Sequence, residues 1–251
     1  MPVPTFLVIG AMKSGTSSLH DYLGQHPDVF TTRRKELDFF CRKYQRGLPW
    51  YEAQFARAAD SKAAGESSPN YLKAHIWPRT AARIHHVVPD AKLICVLRNP
   101  IDRTLSNYLH DVRRGREKGS FSEQLATDSK ILMTSRYAWQ LERYLALFDP
   151  AQITLVGTER LAREPQQVLT HLFRFIGVDD GVAVDTARRS NVTASRLAAS
   201  GRTVPDDPAL VIDDNGISLT DTMRARLAEI FAPDVARLSE LWPDAPRWDL
   251  A

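Results

Sequence analysis

Apolar positions along this chain fall into two alternating kinds of run. Short unbroken runs occur at Phe6-Leu7-Val8-Ile9, Leu93-Ile94-Cys95-Val96-Leu97 and Ile153-Thr154-Leu155-Val156. Runs of this length, bounded by polar or turn residues, mark strands covered on both faces of a parallel sheet. Between them, apolar residues recur every three or four positions. Leu19, Tyr22, Leu23 and His26 do so after the first run, and Ile101, Leu105, Tyr108, Leu109 and Val112 after Pro100. The same spacing joins Tyr137, Leu141, Tyr144, Leu145 and Phe148 within Ser135–Phe148, and Val168, Leu169, Leu172, Phe173 and Ile176 after Pro165. It predicts amphipathic helices, and Pro100 and Pro165 suit a first helical turn.

Further helices are predicted at His75–Val88 (interrupted early by Pro78), near Ser122–Thr127, and from Thr220 to Leu241. Asp28–Thr32 reads as a short strand, and Pro49–Ala59 opens on a helical turn that carries Trp50 and Phe55 toward a core. Gly65–Tyr71 reads as a strand end running into a turn. The cation-and-aromatic segment Arg33–Arg46 has no clean period and reads as a loop, and Thr186–Asp214 shows little periodicity. Strands alternating with helices give an α/β fold, a central parallel sheet flanked by helices. No linker or repeat divides the chain, so one domain over residues 1–251 is expected.

The first run leads into Gly10-Ala11-Met12-Lys13-Ser14-Gly15-Thr16-Ser17-Ser18 and then into a helix, which Thr16 or Ser17 is suited to cap. Strand, tight turn and helix N-terminus form an anion site: free backbone N–H groups converge, the dipole favours negative charge, and Lys13 adds a cation. The pattern is not the hydrolase phosphate loop, in which Lys follows the second Gly and a hydroxyl residue follows the Lys. The strand Leu93–Leu97 runs into Arg98, where a metal-holding carboxylate would stand in a hydrolase. A phosphate-bearing ligand held without metal is the expectation. Ligands of such sheets lie beyond the strand C-termini, and Lys13, Glu66 and Arg98 all fall there.

Composition narrows the class. With 251 residues, 43% hydrophobic and 25% charged, the chain suits one α/β domain with a sizeable core. A formal charge of +3 fits an anionic ligand and is too weak to indicate nucleic acid. Two cysteines, Cys41 and Cys95, make no disulfide framework. No signal-like N-terminus and no membrane-length apolar run is present, so a cytoplasmic protein without a membrane span is expected. Oligomeric state is not addressed by any sequence feature.

Several of these stretches, in this order, resemble the sulfotransferases that use 3′-phosphoadenosine-5′-phosphosulfate (PAPS), particularly the branch of heparan sulfate sulfotransferases and their bacterial relatives. The likeness rests on Gly10–Thr16, Lys35-Glu36-Leu37-Asp38-Phe39-Phe40, Glu66-Ser67-Ser68-Pro69-Asn70-Tyr71, Leu97-Arg98-Asn99-Pro100 through Arg103 to Ser106-Asn107-Tyr108, and Ser135-Arg136-Tyr137. It implies that Lys13, Ser14, Gly15, Thr16, Ser17 and Ser18 cradle the 5′-phosphosulfate, and that Arg98 and Ser106 hold the 3′-phosphate. It implies Glu36 as the base taking the acceptor's proton, with Lys35 as a second cation near the sulfuryl group. Arg196, or Arg202, is a looser match for a cofactor contact, near Arg188-Arg189-Ser190-Asn191 and Ser195. Some branches use a His as base; His110 is the reserve candidate here, His26 a packed residue, and His85-His86 helix surface.

Besides that loose match in the loop expected to cover the nucleotide, two departures from the family pattern stand out. Ser67 occupies a position often held by Lys in the heparan sulfate branch, and the cysteine pair of extracellular relatives is absent. The expected reaction moves a sulfuryl group from PAPS to a hydroxyl of a carbohydrate or a glycosylated or lipid-linked metabolite. It releases adenosine 3′,5′-bisphosphate (PAP) and needs no metal. The basic stretches Arg33–Arg46 and Arg113–Lys118 offer contacts to an anionic acceptor, with solvated surface as the plain alternative. Two rivals remain open: a Mg²⁺-dependent phosphate-loop kinase, and a nucleotide-binding module without catalysis.

Overall fold

All three apolar runs become neighbouring strands of one sheet. The computed structural model describes residues 4–116, 119–127, 130–187, 203–213 and 216–250. The chain divides into two compact units, Met1–Leu97 with Gln140–Ser190, and Arg98–Trp139 with Asn191–Ala251.

In the first unit β1 (Phe6–Gly10), β2 (Val29–Thr31), β3 (Ala63–Ser67), β4 (Lys92–Leu97) and β5 (Ile153–Gly157) form a sheet in the order β2-β3-β1-β4-β5. Every pairing is parallel, with Val8 opposite Ser67 on one side and Ile94 on the other. The expected α/β architecture is therefore present. Strand order reverses around β1, so the turns after β1 and β3 open on the crevice where such sheets place their ligands. β1 is apolar and wholly buried, and on the face that carries Phe6 and Val8, α1 (Thr16–Leu23) and the helix Pro165–Ile176 contribute Leu19, Leu23, Leu169, Leu172 and Phe173 to one core. Each such side chain, fully buried, contributes about 1.5–3 kcal/mol.

β3 is also fully buried, yet it reads Ala63-Ala64-Gly65-Glu66-Ser67. Gly65 is required there, because a Cβ would stand 2.4 Å from the ring of Phe6 on the paired strand. The segment Arg33–Arg46 is not wholly loop. Phe39–Arg42 makes one helical turn and Tyr44–Arg46 a 3₁₀ turn, with Phe39 stacked on Tyr51 at 4.3 Å. Elements this short carry no readable period, and aromatic packing holds them. Phe55 is buried as expected, whereas Trp50 is half-buried beneath the Arg46 guanidinium. The helix expected from His75 begins only at Thr80, two residues past Pro78.

The second unit is built on the helix Pro100–Arg114. Asn99 caps it, its side chain accepting from the N–H groups of Ile101 and Asp102, and Gly115 closes it at φ 62°. Ile101, Tyr108 and Val112 pack with Phe121, Leu227 and Phe231. Arg103, fully buried on the same helix, donates to Ser135 Oγ (2.5 Å), Asn107 Oδ1 (3.2 Å) and the Ile131 carbonyl (2.7 Å). The final helix runs Asp221–Leu241 with Thr220 as its cap. Within the stretch expected to be irregular, Leu210–Asp213 is a strand paired antiparallel with Gly216–Leu219. Its first strand is largely exposed, so no burial pattern announced it.

Candidate active site

The turn after β1 is held in an unusual shape. Lys13 takes φ 73° and Gly15 φ 90°, both in the left-handed region. Gly15 is the N-cap of α1 and no side chain caps the helix, so the expectation of a Thr16 or Ser17 cap is corrected. Thr16 is already the first helical residue, and its hydroxyl accepts from Lys35 Nζ at 3.2 Å. N–H groups of the first helical turn have no acceptor within the helix and carry the positive end of its dipole. Ser14 is completely buried and its Oγ has no partner. A buried hydroxyl left so costs about 1–3 kcal/mol, which a ligand's oxygen would recover. Sequence reasoning missed the brace beneath this turn: Thr158 Oγ1 lies 2.7 Å from the Ser14 carbonyl and 3.0 Å from that of Leu97. Thr158 follows β5 directly, and no local pattern linked it to residue 14.

Lys35 and Glu36 sit on the loop after β2. Lys35 Nζ is 3.3 Å from Glu36 Oε1, so one ammonium joins this carboxylate to Thr16. Glu36 is at φ 61° and Asp38 at φ 55°. Their N–H groups donate to the Ser67 carbonyl (2.9 Å) and to Ser68 Oγ (3.0 Å) respectively. Burial pushes the Asp38 carboxyl above its usual range, against the pull of two hydrogen bonds from Asn70 Nδ2.

At the end of β3 the structure adds groups that the motif alone did not place. Glu66 is fully buried and burial pushes its carboxyl up to about 7, opposed by the hydroxyls of Ser68, Tyr71 and Tyr51. Ser67 Oγ lies 2.9 Å from His20 Nδ1, while His20 Nε2 lies 3.1 Å from the Thr32 carbonyl. A carbonyl only accepts, so Nε2 carries the proton and Nδ1 accepts from Ser67. Burial lowers the His20 pKa, keeping it neutral. His26 is a packed residue as expected, edge-on to Phe173 at 4.6 Å.

In the second unit, Arg98 follows β4 and its carbonyl accepts from Tyr137 at 2.8 Å. Ser106 is buried and its Oγ, like that of Ser14, lacks a partner. His110 Nδ1 lies 3.3 Å from Arg113. Arg188, Arg189, Ser190, Asn191, Ser195, Arg196, Arg202 and Lys118 lie outside the described residues. Among the described residues no group of three or more His, Cys, Asp or Glu could hold a metal ion, and no helix is long and apolar enough to cross a membrane.

In the first unit the unpartnered Ser14 hydroxyl, the left-handed glycine cap and the ammonium-linked carboxylate make a phosphate-loop-like site on an α/β sheet. The chain belongs to the sulfotransferase domain family, whose model matches residues 4–197. It is 32% identical over 183 residues to heparan sulfate glucosamine 3-O-sulfotransferase 6 of Homo sapiens, covering 70% of this chain and 52% of that one. Similarity to the bifunctional heparan sulfate N-deacetylase/N-sulfotransferase 3 of Homo sapiens is also 32%, over 70% of this chain and 22% of that protein. The chain thus spans from about a fifth to half the length of these curated relatives. A solved sulfotransferase from Alicyclobacillus acidocaldarius matches with TM-score 0.77 and 32% identity, covering 96% of each chain. Mouse sulfotransferase SULT7A1 complexed with PAP shares the fold at TM-score 0.54 and 14% identity, over 96% of this chain and 84% of that one.

Proposed function

We propose that this chain transfers a sulfuryl group from PAPS to a hydroxyl of a carbohydrate or of a glycosylated or lipid-linked metabolite, releasing PAP. The observation that carries this reading is Lys35, whose ammonium touches both the anion turn at Thr16 and the carboxylate of Glu36. The family, and the PAP held by a protein of the same fold, support the choice of nucleotide.

The residues suit the group. Ser14, Gly15, Thr16, Ser17 and Ser18 would hold its 5′ end, with Ser14 Oγ supplying an unused donor. Arg98 and Ser106 keep the role of 3′-phosphate ligands; a guanidinium presents paired donors to phosphate oxygens, and Ser106 Oγ is likewise unused. When bound, PAPS supplies a sulfuryl group on a phosphate leaving group. Glu36 takes the proton of the acceptor hydroxyl as its oxygen bonds to sulfur and the bond from sulfur to the phosphate oxygen breaks. Lys13, Lys35 and the N-terminus of α1 stabilise the negative charge that grows on that oxygen. Lys35 takes the cationic place that Ser67, turned toward His20, does not fill. An open groove of about 770 Å³ has Lys35 in its lining, with His20, Asp21, Gln25, Arg33 and Asp185. Free thiols at Cys41 and Cys95 support a cytoplasmic setting.

Calorimetric titration with PAP and with ATP, each with and without Mg²⁺, tests the reading. PAP should bind without metal and ATP weakly; the reverse would favour a kinase. Lys13→Ala should abolish transfer from PAPS while the fold persists. PAP binding with no transfer to any acceptor would leave a binding module.

A further inference from the structure

Glu66 is buried with three hydroxyls aimed at it. Tyr51 and Tyr71 donate to Oε1 at 3.2 and 2.5 Å, and Ser68 donates to Oε2 at 2.6 Å. Among the described residues no lysine or arginine neutralises it, and these hydroxyls hold its charge. Ser68 has a single hydroxyl proton, and it donates that proton in its hydrogen bond to Glu66. The oxygen of Ser68 is thereby left as an acceptor, and the N–H of Asp38 donates to it at 3.0 Å. Two residues earlier the Glu36 N–H is tied to the Ser67 carbonyl on the same strand end. Left-handed backbone costs a residue other than glycine about 1–2 kcal/mol, and the turn contains two such residues, Glu36 and Asp38. The end of β3 thus holds the turn in a conformation it would not keep by itself.

We propose that Glu66 is a positioning residue of the transfer reaction: through Ser68 it fixes the turn that carries Glu36, without touching substrate. The kinetic part rests on Glu36 acting as base; the positional part stands on the contacts alone. The titratable groups facing Glu66 are Tyr51, Tyr71, Asp38 and Cys41. An ionised Glu66 accepts from all three hydroxyls, whereas the protonated acid must itself donate and competes for one of them. Positioning is therefore strongest above the pH at which Glu66 ionises.

Residue-resolved amide hydrogen exchange on the full chain tests this with no need of an acceptor. Glu66→Gln and Ser68→Ala should each speed exchange at Asp38 and Glu36 about tenfold. The affinity for PAP should stay at its wild-type value, and exchange in Leu93–Leu97 should change less than that at Asp38 and Glu36. Unchanged exchange at Asp38 and Glu36 overturns the proposal. So does parallel loosening of Leu93–Leu97, which would mark Glu66 as merely structural. With PAPS and an N-sulfated heparosan oligosaccharide as probe, Glu66→Gln should lower kcat about tenfold and remove a rise in kcat near neutral pH, while adding nothing in a Glu36→Gln background. If Glu36→Gln leaves kcat intact, the base assignment fails, and the exchange result still decides the role of Glu66.

Discussion

Lys35 Nζ and Glu36 Oε1 lie 3.3 Å apart, although they belong to consecutive residues. In an extended strand successive side chains face opposite ways; here φ 61° at Glu36 turns the chain so that the two charges meet. With Thr16 Oγ1 at 3.2 Å from the same ammonium, one cation links the proposed base to the anion turn. The Glu36 side chain is 54% exposed, so the pair adds little to stability, about 0–1 kcal/mol. Its value is in chemistry.

Glu36→Gln should therefore cut kcat by about 10²–10⁴ with the melting temperature and PAP affinity unchanged. Steady-state transfer assays paired with calorimetry make the comparison. Turnover near the wild-type rate would remove Glu36 from the role. Lys35→Met should also lower kcat without lowering the melting temperature, because the charge it supplies matters only as the leaving group departs.

Glu66 and His20 should give opposite pH dependences. Glu66 is raised by burial from 4.5 to about 7, so between those values the folded protein keeps a proton that the unfolded chain has lost. Its contribution is complete below about pH 4.5 and is lost as pH rises toward 7, a change of about 3 kcal/mol. His20 is lowered by burial from 6.5, so its contribution is present above that pH and lost as pH falls below it. Urea unfolding from pH 4.5 to 8 should show the difference between wild type and Glu66→Gln falling with pH, and that between wild type and His20→Gln rising. Differences that do not vary with pH would contradict both.

Arg103→Lys should be costly although it conserves charge. The guanidinium serves Ser135, Asn107 and Ile131 at once, and an ammonium cannot span them. A loss of about 3 kcal/mol is expected. It should appear as a fall in melting temperature of roughly 6–12 °C by calorimetry. A shift within error would mean that the second unit repacks around lysine.

Gly15→Ala separates strain from crowding. Among the described residues a Cβ at Gly15 would meet Thr158 Cγ2 at 3.8 Å and Leu161 Cδ2 at 4.0 Å, so it has room, but φ 90° is unfavourable for alanine. A destabilisation of about 1–2 kcal/mol and a PAP affinity lower by about tenfold are expected as the turn relaxes. Denaturant melts and calorimetric titration read the two effects; an unchanged PAP affinity would show that the turn's shape does not govern binding.

Elements with long periodic patterns were plain from the chain alone. Leu93–Leu97 is buried throughout β4, and Ile101, Leu105, Tyr108, Leu109 and Val112 form the buried face of the helix from Pro100. Lys13 could be named from its turn, and Glu36, Arg98 and Ser106 from the family motifs that they match. Other features had no such signal. β3 is buried without being apolar, and Leu210–Asp213 is a strand without being buried.

Periodicity along the chain therefore determined which faces are hidden, and with them the parallel sheet, while short motifs carried the anion turn and the likeness to the family. It did not determine which polar atoms meet, because that depends on strands and loops far apart in sequence. Thr158 beneath Ser14, Ser135 against Arg103 and Ser68 between Glu66 and Asp38 are joined across 144, 32 and 30 residues. Only packing brings such pairs within hydrogen-bond reach. It also gives Glu66 its raised pKa, since the burial that lifts it, like the three hydroxyls that oppose the rise, belongs to the folded state and to no segment of the chain by itself.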